Sequence, residues 1–166
     1  MDKAVEALLP SGLSFQEQFK GNHCFGCGAD NPQGLKIQSY WMGDGSSVCQ
    51  FTPEPYHCAA PTHFLNGGII ATVIDCHCIC TAMAEAYRRL DREIGKGEPI
   101  WFATGGLSLQ YLRPVSINAK IVLQARVMAA DERKAELRCE LLANGKTAVE
   151  AKLTAVRVPE SWMTEL

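Results

Sequence analysis

Hydrophobic and polar positions alternate most cleanly toward the carboxyl end of the chain. Ile121, Leu123, Ala125 and Val127 form one such series, Ala135, Leu137, Cys139 and Leu141 a second. After Asn144-Gly145 come Val149, Ala151, Leu153 and Ala155, and the residues in between are mostly charged or polar. A period of two is that of a strand with one buried face, and Asn-Gly is a hairpin turn. Strands wet on one side belong to an antiparallel sheet. Earlier, "LKIQSYWM" and "SSVCQFT" flank Gly43-Asp44-Gly45, which predicts another hairpin. Pro53, Pro55 and Pro61 then impose an irregular connection.

The stretch from Gly67 to Leu90 contains no helix breaker, and its apolar residues (Ile69, Ile70, Ala71, Val73, Ile74, Cys76, Cys78, Ile79, Cys80, Ala82, Met83) point in every direction. A helix apolar all round must be covered all round. One antiparallel sheet curling around a long helix, completed by the sheet of a second copy, meets that demand, so the expected class is α+β. A length of 166 residues suits one domain spanning 1–166. Residues 1–33 read as an extension, with helical pieces at "DKAVEALL" and "SFQEQF" followed by the turn-rich loop "GNHCFGCGADNPQGL".

Composition narrows the classes. With 47% hydrophobic and 20% charged residues the chain is neither disordered nor highly charged, and a net charge of -2 gives no broad footprint for nucleic acid. The apolar run from Ile69 to Ala84 holds Asp75 and His77, which makes it a poor membrane span. The first 20 residues lack the pattern of a secretory signal. A cytoplasmic protein whose cysteines remain thiols is expected.

Asp75 is the one acid in the middle of the apolar helix. A buried carboxylate costs several kcal/mol unless it is paired or hydrogen-bonded. Two readings follow: a structural ion pair with Arg113 or another base, or a general base or nucleophile with a shifted pKa. Ahead of it, Asn66 can cap the helix, and Gly67-Gly68 leaves the free N–H groups of the first turn open to an oxyanion. A tight turn or close packing would equally call for Gly-Gly.

These residues resemble the hotdog-fold acyl-CoA thioesterases of the phenylacetate-degradation (PaaI-like) type. The resemblance covers roughly residues 24 to 157. "NGGIIATVID" looks like the family's His-Gly-Gly followed by an acidic residue on the central helix. "CFGCGADNPQGLKI" is similar to the loop and first strand of one subgroup, and "SLQYLRPV" to the strand ending after the helix. The resemblance implies a hydrolase that converts an acyl thioester to a carboxylic acid and free CoA without a cofactor. Gly67 would supply the N–H that polarises the carbonyl, and Asp75 would activate water or attack directly. Thr104 stands where the family often has a hydroxyl that holds the water, and is otherwise an ordinary strand threonine. Gly105-Gly106 can admit a pantetheine arm or mark a bulge. Asn66 replaces the family's histidine, and an amide cannot exchange a proton near neutral pH. His63 is a substitute or a surface residue. Arg113, Arg88, Arg89 and Lys96 are candidates for CoA phosphates, each also readable as a solvated charge.

Gly67 and Asp75 are about 12 Å apart along one helix. One thioester therefore meets both only if a two-fold mate supplies the second, which predicts a homodimer with shared sites, alone or within a homotetramer. Two other classes stay open: a noncatalytic acyl-CoA-binding or regulatory hotdog protein, and a hotdog hydroxyacyl dehydratase, against which Asn66 counts.

No metal is expected. In "CHCIC" only Cys76 and Cys80 share a helix face. Cys24 and Cys27, next to His23, have ligand spacing, but no second close pair follows in the manner of structural zinc sites. A redox role for the pair lacks the expected strand-to-helix context. Packing and turn formation are the expected roles.

Overall fold

The structure, a computed structural model, describes residues 9–164. The helical piece expected at "DKAVEALL" falls almost wholly outside them. The second piece is present as α1 (Phe15–Gln18), closed by a capping box in which Ser14 and Glu17 satisfy each other's backbone N–H groups. The expected hairpin is β1 (Gln38–Trp41) and β2 (Ser46–Phe51), paired antiparallel.

The long helix is α2 (Gly67–Arg89). Asn66 caps it, its Oδ1 accepting from Gly68 N at 2.7 Å and Ile69 N at 3.2 Å. At the other end Asp91 takes φ 53°, so Asp91 N–H reaches Arg88 O and Arg92 N–H reaches Tyr87 O, a Schellman closure with aspartate in glycine's usual place.

Four strands follow: β3 (Trp101–Tyr111), β4 (Ile121–Ala130), β5 (Lys134–Ala143) and β6 (Lys146–Val158). The six strands lie in the order β1-β2-β4-β5-β6-β3, every pair antiparallel. The Asn144-Gly145 turn joins β5 to β6 with both residues at positive φ, as a type I′ hairpin requires. The inward series is the one set by alternation: Leu123, Ala125, Leu137, Cys139, Leu141, Val149, Leu153 and Ala155 are all buried. They pack on α2, which lies across this face of the sheet. By length and composition α2 could cross a membrane, but it is mostly buried by the sheet and serves as the core helix.

A polar chain runs through this core. Gln16 and Ser39 exchange two hydrogen bonds, of 2.9 and 2.7 Å. Ser39 Oγ meets His77 Nδ1 at 2.8 Å, His77 Nε2 meets Ser47 Oγ at 3.3 Å, and Ser47 Oγ meets Thr81 Oγ1 at 2.6 Å. This chain stitches α1, β1 and β2 onto α2. Burial pushes the His77 pKa down to about 4, so the ring is neutral and uses one nitrogen as donor and the other as acceptor.

Coverage of α2 differs from the expectation in one respect. Gly68, Thr72, Asp75, Ile79 and Ala86 stay wholly or partly accessible. At spacings of three, four and seven they form one stripe along the helix. The sheet, together with α1 and the loop that follows it, covers the remaining sides, and β3, which flanks the stripe, is an edge strand.

Candidate active site

Asp75 sits in the middle of the open stripe, half-exposed where full burial was expected. Its Oδ1 accepts a 2.6 Å hydrogen bond from Thr104 Oγ1 on β3. No ion pair joins it to Arg113 or to any other described residue. Burial raises the Asp75 pKa above the ordinary carboxylate value, and the Thr104 bond opposes that rise. Oδ1 is engaged by the threonine, which leaves Oδ2 free to take a proton.

Thr104 owes its place to an irregularity. The pairing of β3 with β6 slips between Thr104 and Gly106, and Gly105 is the extra residue. A Cβ on Gly105 would come within 2.5 Å of Val156 Cγ2, so this bulge needs glycine, whereas one on Gly106 would meet nothing. Both glycines are exposed beside the carboxylate's threonine.

The helix start forms the second group. Asn66 spends its side-chain oxygen on the cap, and Gly67 N–H has no partner among the described residues. Tyr111, at the end of β3, donates its hydroxyl to Gly67 O at 2.7 Å. Tyr111, Arg113, Phe64 and Ile70 line a shallow pocket against Gly67. No local pattern signals Tyr111, because it reaches the helix from 44 residues away. Arg113 is exposed at this pocket and forms no ion pair.

The other sequence candidates lie elsewhere. His63 is exposed, with its ring against Phe64. Arg88 pairs with Glu85 at 2.7 Å and lies over the Trp41 ring, while Arg89 donates to the Ala130 carbonyl. Both belong to the last turn of α2, about 32 Å along the axis from Gly67. Lys96 lies in the following loop, where its carbonyl accepts from Arg92. Within one chain the structure therefore joins Asp75 with Thr104, and Gly67 with Tyr111 and Arg113, and keeps the two groups about 12 Å apart.

A long helix laid on a six-stranded antiparallel sheet is the hotdog fold of thioesterase-superfamily structures. A thioesterase-superfamily protein from Shewanella loihica is 29% identical, with a TM-score of 0.61 over 74% of this chain and 91% of that one. The Escherichia coli PaaI protein from the phenylacetic acid degradation operon is 15% identical, with a TM-score of 0.60 over 75% and 81%. A Haemophilus influenzae thioesterase is 14% identical, with a TM-score of 0.62 over 80% and 85%. No family model and no curated protein matches the chain.

Proposed function

We propose that the protein is an acyl-CoA thioesterase working as a homodimer with two shared sites. In each site the start of one α2 polarises the thioester carbonyl through Gly67 N–H, and Asp75 of the partner subunit acts on the carbonyl carbon. In the general-base form, Asp75 takes a proton from water as its oxygen adds to the carbonyl. The tetrahedral intermediate then expels the CoA thiolate, which recovers the proton, leaving carboxylic acid and free thiol. In the nucleophilic form the carboxylate adds first and expels the CoA thiolate, and water then hydrolyses the mixed anhydride, regenerating Asp75 and supplying the proton that the thiolate takes up. Thr104 holds the carboxylate, while Tyr111 and Arg113 flank the carbonyl site.

The observation that carries this reading is the state of Asp75. It is a carboxylate of raised pKa with no ion-pair partner among the described residues, one oxygen oriented by Thr104, on the accessible stripe of α2. With no base to neutralise it and a threonine hydroxyl to orient it, the carboxylate is available to act on a substrate. The fold of thioesterase-superfamily structures supports the same chemistry.

The test is Asp75→Asn, which keeps the size and removes the basic oxygen. Release of CoA, followed chromatographically over a panel of aliphatic and aromatic acyl-CoAs, should fall by at least about 100-fold with folding and acyl-CoA binding retained. Near-normal turnover in the variant would sink the assignment. Binding without thiol release in the wild type would instead identify a noncatalytic acyl-CoA-binding protein.

A further inference from the structure

Three sulfurs converge beside the candidate site, with a fourth one helical turn away, and the thioesterase reading uses none of them. Cys24 and Cys27 come from the loop after α1, and their Sγ atoms lie with that of Cys76 within 4.8 Å of one another. Cys24 and Cys76 are 3.6 Å apart. Cys80, one turn beyond Cys76 on the same face of α2, is a buried fourth thiol beside this group, outside the set of sulfurs that lie within 4.8 Å of one another. All four are free thiols. The second pair that the sequence lacks after Cys24 and Cys27 is thus supplied by the helix.

The loop is shaped for this approach. A Cβ on Gly26 would stand 2.3 Å from Cys76 Sγ, so only glycine lets the Cys-Phe-Gly-Cys turn press onto the helix there. A Cβ on Gly28 would collide with the backbone of Asn22 and Cys24 at 2.5 to 2.6 Å. Gly28 N–H closes the turn onto Cys24 O at 2.8 Å. Asn22 accepts from Cys24 N at 3.0 Å and donates its amide to Cys27 Sγ at 3.5 Å, the kind of outer contact that orients a thiolate ligand.

We propose that Cys24, Cys27, Cys76 and Cys80 bind one Zn²⁺ ion in a tetrahedral four-thiolate site that clamps the amino-terminal loop to the central helix. Zn–S bonds of about 2.3 Å set sulfurs about 3.8 Å apart in a tetrahedron, close to the 3.6 Å between Cys24 and Cys76, and Cys80 completes the set by moving inward as the ion binds. Four protein ligands leave no open position for water or substrate, so the ion is structural. Binding exchanges the thiol protons, up to four, for one divalent cation and releases them to solvent. Cys24 is exposed and gives the ion access, while the other three sulfurs are buried. Cys78 and Cys139 show the contrasting case, two thiols meeting within the core. Among the described residues, no second group of three or more ligand side chains converges in this way. Because Cys76 follows Asp75 directly, the clamp fixes the turn that carries the carboxylate.

The test is metal analysis of the folded wild-type protein, purified without chelator from zinc-supplemented cells under reducing conditions. One zinc per chain is expected. Exchange with Co²⁺ should give thiolate-to-cobalt charge-transfer bands and the strong visible bands of tetrahedral cobalt. Cys24→Ser, at the exposed ligand, should weaken Co²⁺ binding by at least about 10-fold while far-ultraviolet circular dichroism is unchanged. Cys78→Ser, outside the cluster, should keep the full complement. A folded wild-type chain that is metal-free and gives no cobalt bands overturns the proposal, as does one iron per chain or a disulfide between any two of the four cysteines.

Discussion

The shared-site arrangement can be tested with two broken chains. Gly67→Pro removes the N–H proposed to polarise the carbonyl, and the structure shows why the fold should tolerate it. That N–H has no partner among the described residues, so no helix bond is lost. Asn66, at φ -63° and ψ 133°, already has the extended conformation that precedes proline. A Cβ at position 67 would meet the Tyr111 ring at 3.7 Å, an ordinary contact. Proline is favoured at the first position of a helix, so stability should hold or rise slightly. Loss of one carbonyl-polarising donor should cut turnover about 100- to 1,000-fold, and loss of the base in Asp75→Asn by a similar factor. Each homodimer would then keep about 1% of wild-type activity or less. When the two chains are mixed at random, about half the dimers are mixed, and in each of these one site receives both intact residues and the other both damaged ones. Activity should return to about a quarter of wild type, at least about 25-fold above either parent. Differently tagged chains, co-expressed and purified through both tags, give the mixed species directly, and chromatographic CoA release gives its rate. A site built within one chain predicts only the mean of the two parents, so verified mixed dimers without recovery would refute the shared-site geometry.

Thr104→Val should lower kcat about 10-fold or more with little change in KM, since it removes a hydrogen bond to an ionised carboxylate. Thr104→Ser should restore the rate, and equal losses in both variants would mean that the hydroxyl is not what matters. Asn66→Ala should cost about 1 kcal/mol in denaturant unfolding, while Asn66→Asp keeps the cap, and an unchanged midpoint in the alanine variant would remove Asn66 from that role. His77 makes stability depend on pH. Its folded pKa of about 4 lies below the ordinary histidine value of 6.5, so the unfolded chain binds the proton more readily. The contribution is complete above about pH 6.5 and drains away as pH falls toward about 4, by a total of about 3 kcal/mol. In His77→Asn that share of the acid destabilisation should vanish, and parallel stability curves for variant and wild type between pH 7 and 4.5 would show that His77 is not its source.

What the sequence shows and what it hides divide along contact range. The strands centred on Leu123, Leu137 and Leu153, the Asn144-Gly145 turn and the limits of α2 are legible because each rests on neighbours a few residues away. The family resemblance singles out Asp75 and Thr104 separately, the threonine as a hydroxyl for water, whereas the hydrogen bond between them joins residues 29 apart and comes from the fold. The polar chain through His77 is invisible by the same logic, since each of its links joins residues far apart: Gln16 to Ser39, Ser39 to His77, and Ser47 to Thr81. Tyr111 escapes notice because its hydroxyl crosses from the end of a strand to the start of a helix.

The cysteines are the clearest case of a correct local rule giving an incomplete result. Helical spacing does put Cys76 and Cys80 on one face and Cys78 on another, and Cys78 goes to the sheet side, where it meets Cys139. On the proposed zinc reading, that same spacing makes Cys76 and Cys80 half of a ligand set, just as a two-residue gap makes Cys24 and Cys27 the other half. Neither half is informative alone, since each packs acceptably as small apolar side chains. They are joined by contact between a loop and a helix 52 residues apart, and the sequence bears only its indirect mark, the glycines at 26 and 28. A turn that requires glycine on both sides of Cys27 is a turn pressed against something. What Gly26 presses against is Cys76, and this places the loop, the sulfurs and the helix turn of Asp75 in one packed unit.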